Sequence, residues 1–124
     1  MAVHLLDVNV LVALAWPTHE HHRIAEDWFA ACRDDGWATC PFTQTGFVRL
    51  SSNKKLTKYA RTPRRAVKLL GKMMSDESHI FWPDDLMITD SKFIALERLR
   101  GHGQVTDPYL LGLALKNGGR FAYA

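Results

Sequence analysis

Two aspartates, Asp7 and Asp107, each stand at the mouth of an apolar run and are the residues best placed to do chemistry. The run Val3 to Leu6 leads into Asp7, and Val8 to Ala15 follows with neither Gly nor Pro between them. Asp107 is followed by Pro108 and by Tyr109 to Leu115, which is apolar on every side. A carboxylate at such a place serves as a helix N-cap, accepting a hydrogen bond from a free backbone N–H. Two of them opening on one sheet edge make an acidic pocket instead. Like charges a few ångströms apart oppose each other's ionisation unless a cation joins them. Mg²⁺ or Mn²⁺ suits that pocket, because hard cations take oxygen ligands and keep waters for phosphate groups. A cation held there lowers the pKa of a water and offsets charge on a phosphodiester being cleaved. The side chains themselves therefore point to metal-dependent cleavage of nucleic acid, with a metal-activated water as nucleophile.

The elements that must position these acids follow from the apolar pattern. Val3 to Leu6 reads as a short buried strand and Val8 to Ala15 as a buried helix. Thr18 precedes a helix whose apolar face is Ile24, Ala25, Trp28, Phe29 and Cys32, ended by Asp34-Asp35-Gly36. Trp37 to Cys40 is a second strand stopped by Pro41, and Thr43 caps a helix from Gln44 to about Leu50 with Phe47 and Val48 inward. Thr62-Pro63 starts a helix with Ala66, Val67, Leu69, Leu70, Met73 and Met74 on its apolar side. His79 to Trp82 is a third strand, closed by Pro83-Asp84-Asp85, where turn and capping roles are expected for the acids. Ser91 caps a helix through Phe93, Leu96 and Leu99 that Gly101 stops. Asp107 caps the last helix, Asn117-Gly118-Gly119 ends it, and Phe121 to Ala124 is a last buried strand. Strands alternating with helices predict a three-layer α/β/α fold with a mainly parallel sheet. Ligands in such folds bind outside the carboxyl ends of the strands.

Composition and charge narrow the partners. At 47% hydrophobic and 23% charged residues the chain reads as one globular domain, 1–124, with no bilayer-length apolar stretch and no signal peptide. Cys32 and Cys40 lack zinc-site spacing and read as buried thiols of a reducing compartment, the cytosol. His19, His21 and His22 read as solvated first-turn residues. Lys54, Lys55, Lys58, Arg61, Arg64, Arg65, Lys68 and Lys72 fall within nineteen residues that contain no acid, while the whole chain carries only +3. That unmixed run, with Tyr59 beside it, points to phosphate contact and hence to RNA or DNA.

The segments Leu5-Leu6-Asp7-Val8-Asn9-Val10-Leu11, Cys40-Pro41-Phe42-Thr43-Gln44-Thr45-Gly46-Phe47-Val48-Arg49, Phe81-Trp82-Pro83-Asp84-Asp85 and Val105-Thr106-Asp107-Pro108-Tyr109-Leu110-Leu111-Gly112-Leu113-Ala114 together resemble a PIN domain, and more narrowly the VapC toxins of toxin–antitoxin pairs. The resemblance implies a cytoplasmic Mg²⁺- or Mn²⁺-dependent endoribonuclease, held inactive by a VapB-type antitoxin and commonly a homodimer. It makes Asp7 and Asp107 two metal-binding acids, with Asn9, Thr43 and Thr106 supporting the site and Arg49 joining the RNA-binding residues. Gln44 stands where most of the family has a glutamate. Its amide accepts a hydrogen bond or offers a neutral oxygen to a metal-bound water, but fewer ligand charges mean weaker metal binding. The family's last strand runs into a further aspartate, and Phe121-Ala122-Tyr123-Ala124 resembles that strand stopped one residue short. Whether such an acid follows is open from the sequence.

Two other readings stand beside the nuclease. One is a PIN-like module with an impaired metal site that binds RNA or antitoxin without cleaving. The other is a phosphate-handling α/β enzyme or receiver domain with Asp7 as nucleophile, against which Asn9 occupies the place of a second acid. His102 is read as a loop residue rather than a general acid or base.

Overall fold

The computed structural model describes residues 2–55 and 60–123. Short strands made of residues that can be buried on both sides form its centre: β1 His4–Leu6, β2 Trp37–Thr39, β3 His79–Phe81 and β4 Arg120–Ala122. They lie in the order β3-β2-β1-β4, every pair parallel, with His4 beside Trp37 and Leu6 beside Ala122. The helices are α1 Val8–Ala15, α2 His22–Cys32, α3 Pro41–Ser51, α4 Pro63–Met74 and α5 Thr106–Lys116. Among the described residues no helix is long and apolar enough to cross a membrane.

Alternation along each strand feeds two cores, one per face. Leu5, Ala38 and Cys40 turn towards α5 and the segment carrying Trp82, Leu86 and Ile94. Leu6 and Trp37 turn the other way, onto α1, Phe47 of α3, and Ala66 and Leu70 of α4. That is the expected three-layer arrangement, with the parallel sheet covered on both faces. Gly36, at φ +100°, makes the turn into β2 that a side-chain-bearing residue would adopt only with strain.

Several element boundaries differ from the pattern, each for a local reason. The helix expected from Thr18 begins at His22, because residues 17–21 turn first and His22 Nδ1 lies 2.7 Å from the Ala13 carbonyl. Its Ile24 is 70% exposed, and on α4 Val67 is 55% exposed, since neither helix is covered on its outer side. Helix α3 starts at Pro41, so Thr43 does not cap it but lies in its first turn and reaches back, accepting from Cys40 N at 3.0 Å. The helix expected from Ser91 does not form. Asp90 takes the capping place, its Oδ1 accepting from Lys92 N, and its carbonyl accepts from Phe93 N and Ile94 N for a single turn. Burying Ile94 against α5 then leads the chain away, and only Leu96–Arg98 regains a 3₁₀ turn. Asp107 likewise is not the cap of α5. It sits in the first turn, with Pro108 at the third helical position. Cys40 is buried as expected, whereas Cys32 is only half-buried. Ala124 of the expected last strand lies outside the described residues.

Candidate active site at the carboxyl edge of the sheet

Strand β1 is followed in sequence by elements that build the sheet towards β2, while β4 returns on its other side. The carboxyl ends of β1 and β4 therefore flank the point where the strand order reverses, the place where open α/β sheets bind ligands. Asp7 stands there. Its amide donates to the Ala122 carbonyl at 2.9 Å, extending the β1–β4 pairing by one residue. Its Oδ1 accepts from Val8 N at 2.8 Å, and its carbonyl accepts from Leu11 N, so it caps α1. The side chain is only 8% exposed. Burial pushes its carboxyl above the usual carboxylate range; the Val8 hydrogen bond works against that, and repulsion from Asp107 adds to it. The tertiary structure thus brings the two aspartates, one hundred positions apart, within electrostatic reach.

Asp107 is exposed. With Arg98, Gln104, Leu111, Phe121 and Tyr123 it lines a cleft of about 350 Å³ on the α5 side of β4. Arg98 and Gln104 carry no sequence motif; the irregular chain between β3 and α5 delivers them. A larger groove of about 510 Å³, with His4, Trp28 and Ala122 in its wall, opens on the other face of β4, and no acid lines it. Of the two, only the smaller cleft has an acid in its wall.

Gln44, half-buried in the first turn of α3, donates from Nε2 to Thr39 Oγ1 at 3.0 Å. Thr39 ends β2, is wholly buried, and lies 2.8 Å from His79 Nε2 on β3. Continuing the β1–β2 register places Thr39 beside Leu6, one residue before Asp7. Sequence reasoning passed over Thr39 and His79; the signal available was a polar residue closing an otherwise apolar strand. Thr43 is buried and engaged with Cys40, Thr106 opens α5 exposed, and Asn9 is exposed one residue beyond Val8, whose amide is the donor to Asp7. Asp84 accepts from Phe42 N at 3.1 Å, a capping role at the start of α3.

Among the basic residues, Arg49, Lys54, Lys55, Arg64, Arg65, Lys68 and Lys72 are exposed. Arg61 differs: its guanidinium lies 5.3 Å over the Trp16 ring, and Trp16 Nε1 donates to Ser51 Oγ at 3.1 Å, so this cation ties α4 to α1 and α3. Lys58 and Tyr59 lie outside the described residues. Of the histidine cluster, His22 lies 3.2 Å from Glu26. Among the described residues no three His, Cys, Asp or Glu converge as a metal-ligating group.

The donor set nevertheless fits a hard divalent cation. A buried carboxylate, Asp7, whose ionisation is opposed by burial and by the charge of Asp107, supplies oxygen ligands together with that second acid and a charge that a cation relieves. Mg²⁺ is commonly held by one or two carboxylates, the rest of its shell being water and substrate phosphate.

No family model matches the chain. Three curated proteins of Mycobacterium tuberculosis are similar to it over nearly its whole length. Ribonuclease VapC39 is 44% identical over 116 residues, covering 94% of this chain and 84% of that protein. Ribonuclease VapC38 is 43% identical over 116 residues, 94% of this chain and 80% of that protein. Ribonuclease VapC44 is 42% identical over 117 residues, 94% of this chain and 82% of that protein.

Proposed function

The chain belongs to the VapC ribonuclease family of PIN type, and from that premise we propose that it is a toxin-type endoribonuclease whose centre is the Asp7–Asp107 pair. The observation that carries this is a buried aspartate, Asp7, at the reversal point of the sheet, its carboxyl raised by burial and further by the charge of Asp107. Asp7 and Asp107 are the residues that would hold Mg²⁺ or Mn²⁺. When bound, such an ion lowers the pKa of a water and offsets the charge on the phosphodiester undergoing cleavage.

The chain's own residues do the rest. The Val8 amide and the Ala122 carbonyl fix the Asp7 backbone and side chain, so the carboxylate is preorganised rather than ordered by substrate. Gln44 offers a neutral hydrogen-bonding group beside this edge, with Asn9, Thr43 and Thr106 as supporting residues. Arg49, Lys54, Lys55, Lys58, Arg61, Arg64, Arg65, Lys68 and Lys72 are the proposed RNA contacts, in which the phosphate backbone is bound by charge. Family membership supports a VapB-type antitoxin as the partner that restrains the enzyme, and a homodimer as its assembly.

Cleavage of RNA with Mg²⁺ present tests the reading. Asp7→Asn and Asp107→Asn are each expected to lower the rate about a hundredfold or more, the size that follows from withdrawing several kcal/mol of charge stabilisation. Cleavage unchanged in Asp7→Asn overturns it. A second reading, binding of RNA or antitoxin without cleavage, is favoured by a donor set that reaches only two acids among the described residues. RNA binding retained by the unaltered chain with no cleavage at any Mg²⁺ or Mn²⁺ concentration decides for it.

A further inference from the structure

Thr39 is a wholly buried hydroxyl with two nitrogen partners, Gln44 Nε2 at 3.0 Å and His79 Nε2 at 2.8 Å. A hydroxyl carries one proton, and a buried one must place it. The Gln44 amide nitrogen is a donor only, so Thr39 Oγ1 accepts there. Its own proton therefore goes to His79 Nε2, which fixes that ring as neutral with its hydrogen on Nδ1.

We propose that Thr39 and His79 are positioning residues for Gln44: the chain from Gln44 through Thr39 to His79 holds the amide nitrogen inward and leaves carbonyl oxygen Oε1 as the outward, accepting end. The inference rests on the reading of Gln44 as a site residue. Held this way, the free end of the amide offers only lone pairs, as a carboxylate does, without a carboxylate's charge. A proton added to His79 turns Nε2 into a donor. Thr39 Oγ1 then receives that hydrogen bond and has to give its own proton elsewhere. The acceptor within reach is the Gln44 carbonyl oxygen, brought inward by a half-turn of the amide. The outward end becomes a donor, and the group that faced the site as an acceptor is lost.

The surroundings favour the neutral ring. Burial pushes His79 below its ordinary range, while Asp76 works the other way. Asp76 is itself engaged by Arg33 at 2.9 Å and by Trp37 Nε1 at 2.8 Å, and Lys72 shares its cleft. The partners that β2 and α3 contribute, Trp37, Thr39 and Gln44, are uncharged. The accepting orientation therefore holds at neutral pH and is lost in acid, below the ordinary histidine range of about 6.5.

The test uses the full chain and two readouts. The first is the Gln44 side-chain amide signal in nitrogen–proton spectra from about pH 8 down to about pH 5, across the histidine range. In the unaltered chain it is expected to shift together with the His79 ring, and in His79→Gln, which keeps a neutral acceptor, to stay flat. The second is kcat and KM for RNA cleavage with Mg²⁺. Thr39→Val is expected to lower kcat about threefold to tenfold, the worth of one hydrogen bond, with KM moved less than about twofold, and Thr39→Ser to restore it. A Gln44 signal that ignores the His79 titration overturns the proposal, as does a Thr39→Val protein with the kcat–pH profile of the unaltered chain. If Thr39→Val does not fold, the His79→Gln comparison decides, since that residue lies half-buried on an edge strand. The spectra read the amide whether or not RNA is cut. Cleavage that survives Asp7→Asn therefore removes the Asp7–Asp107 centre, while the spectra still decide how the Gln44 amide is held.

Discussion

Asp7 is costly to keep where it is. Its carboxyl is raised above the ordinary aspartate value, first by burial and then by Asp107, so the native chain holds that proton to higher pH than the unfolded chain does. Across the window between the ordinary value and the raised one the folded state binds more protons, and stability falls as pH rises through it. The whole cost is present at neutral pH. Asn at position 7 keeps an oxygen for the Val8 amide and carries no charge. Thermal unfolding at pH 7 is therefore expected to show a higher midpoint for Asp7→Asn than for the unaltered chain, and the difference is expected to shrink in acid, where both residues are neutral. A lower midpoint at pH 7 in the absence of divalent ions contradicts the account. For the proposed catalytic role of Asp7, weakening of the fold in this way is a common trade. At this scale Asp7 was legible because a lone acid interrupts two apolar runs. Thr39 and His79 were not, because their partners lie 5 and 40 positions from Thr39 and one of them is on another strand.

Among the elements, α5 shows how a helix is held at a fixed depth. A Cβ on Gly112 would stand 2.8 Å from Ile94 Cδ1 and 2.9 Å from the Phe93 carbonyl oxygen. The isoleucine end can yield, but the carbonyl belongs to the irregular segment that lines the cleft beside Asp107. Gly112→Ala is expected to cost about 1–3 kcal/mol despite its better helix propensity, the range for overpacking a tight core. Urea unfolding with an unchanged slope checks it, and a neutral or stabilising result shows that the segment can withdraw. The same contact explains why the stretch after Ser91 reads as a helix and is not one. Its apolar residues do not share one face: Ile94 is buried, while Leu96 stays exposed. Propensity and caps describe a segment by itself, and here burial against a distant glycine outweighs them.

For the whole molecule, the basic segment is the outstanding feature. Eight of the sixteen Lys and Arg residues lie between positions 54 and 72, and the rest of the chain is acidic on balance. Among the described residues none of these cations is in an ion pair; the acids that do pair take other partners, as Asp76 takes Arg33 and Asp85 takes Lys116. Binding of RNA is expected to weaken steeply with salt. Replacing Arg64 and Arg65 together by Gln is expected to make the log–log salt slope shallower by about 1.4, at about 0.7 per phosphate contact on a single strand. An unchanged slope measured by fluorescence anisotropy moves the RNA surface elsewhere. Arg61→Gln is a different case, because its guanidinium packs on Trp16 and its loss falls on stability as well.

The succession of the four strands and of α1 to α5, the parallel sheet, the two aspartates and the basic run were determined by the sequence, whereas the helix that its pattern suggests after Ser91 does not form. Each is a local pattern: period two or 3.6 in apolar residues, a proline after a threonine, an unmixed run of charge. Only the tertiary structure decided that Asp7 and Asp107 share the carboxyl edge where β1 meets β4, that Arg98 and Gln104 join Asp107 in the cleft, and that Gln44 is tied through Thr39 to His79. These are relations between residues far apart in the chain. They are set by which faces the two cores bury, and no window of the sequence contains that information.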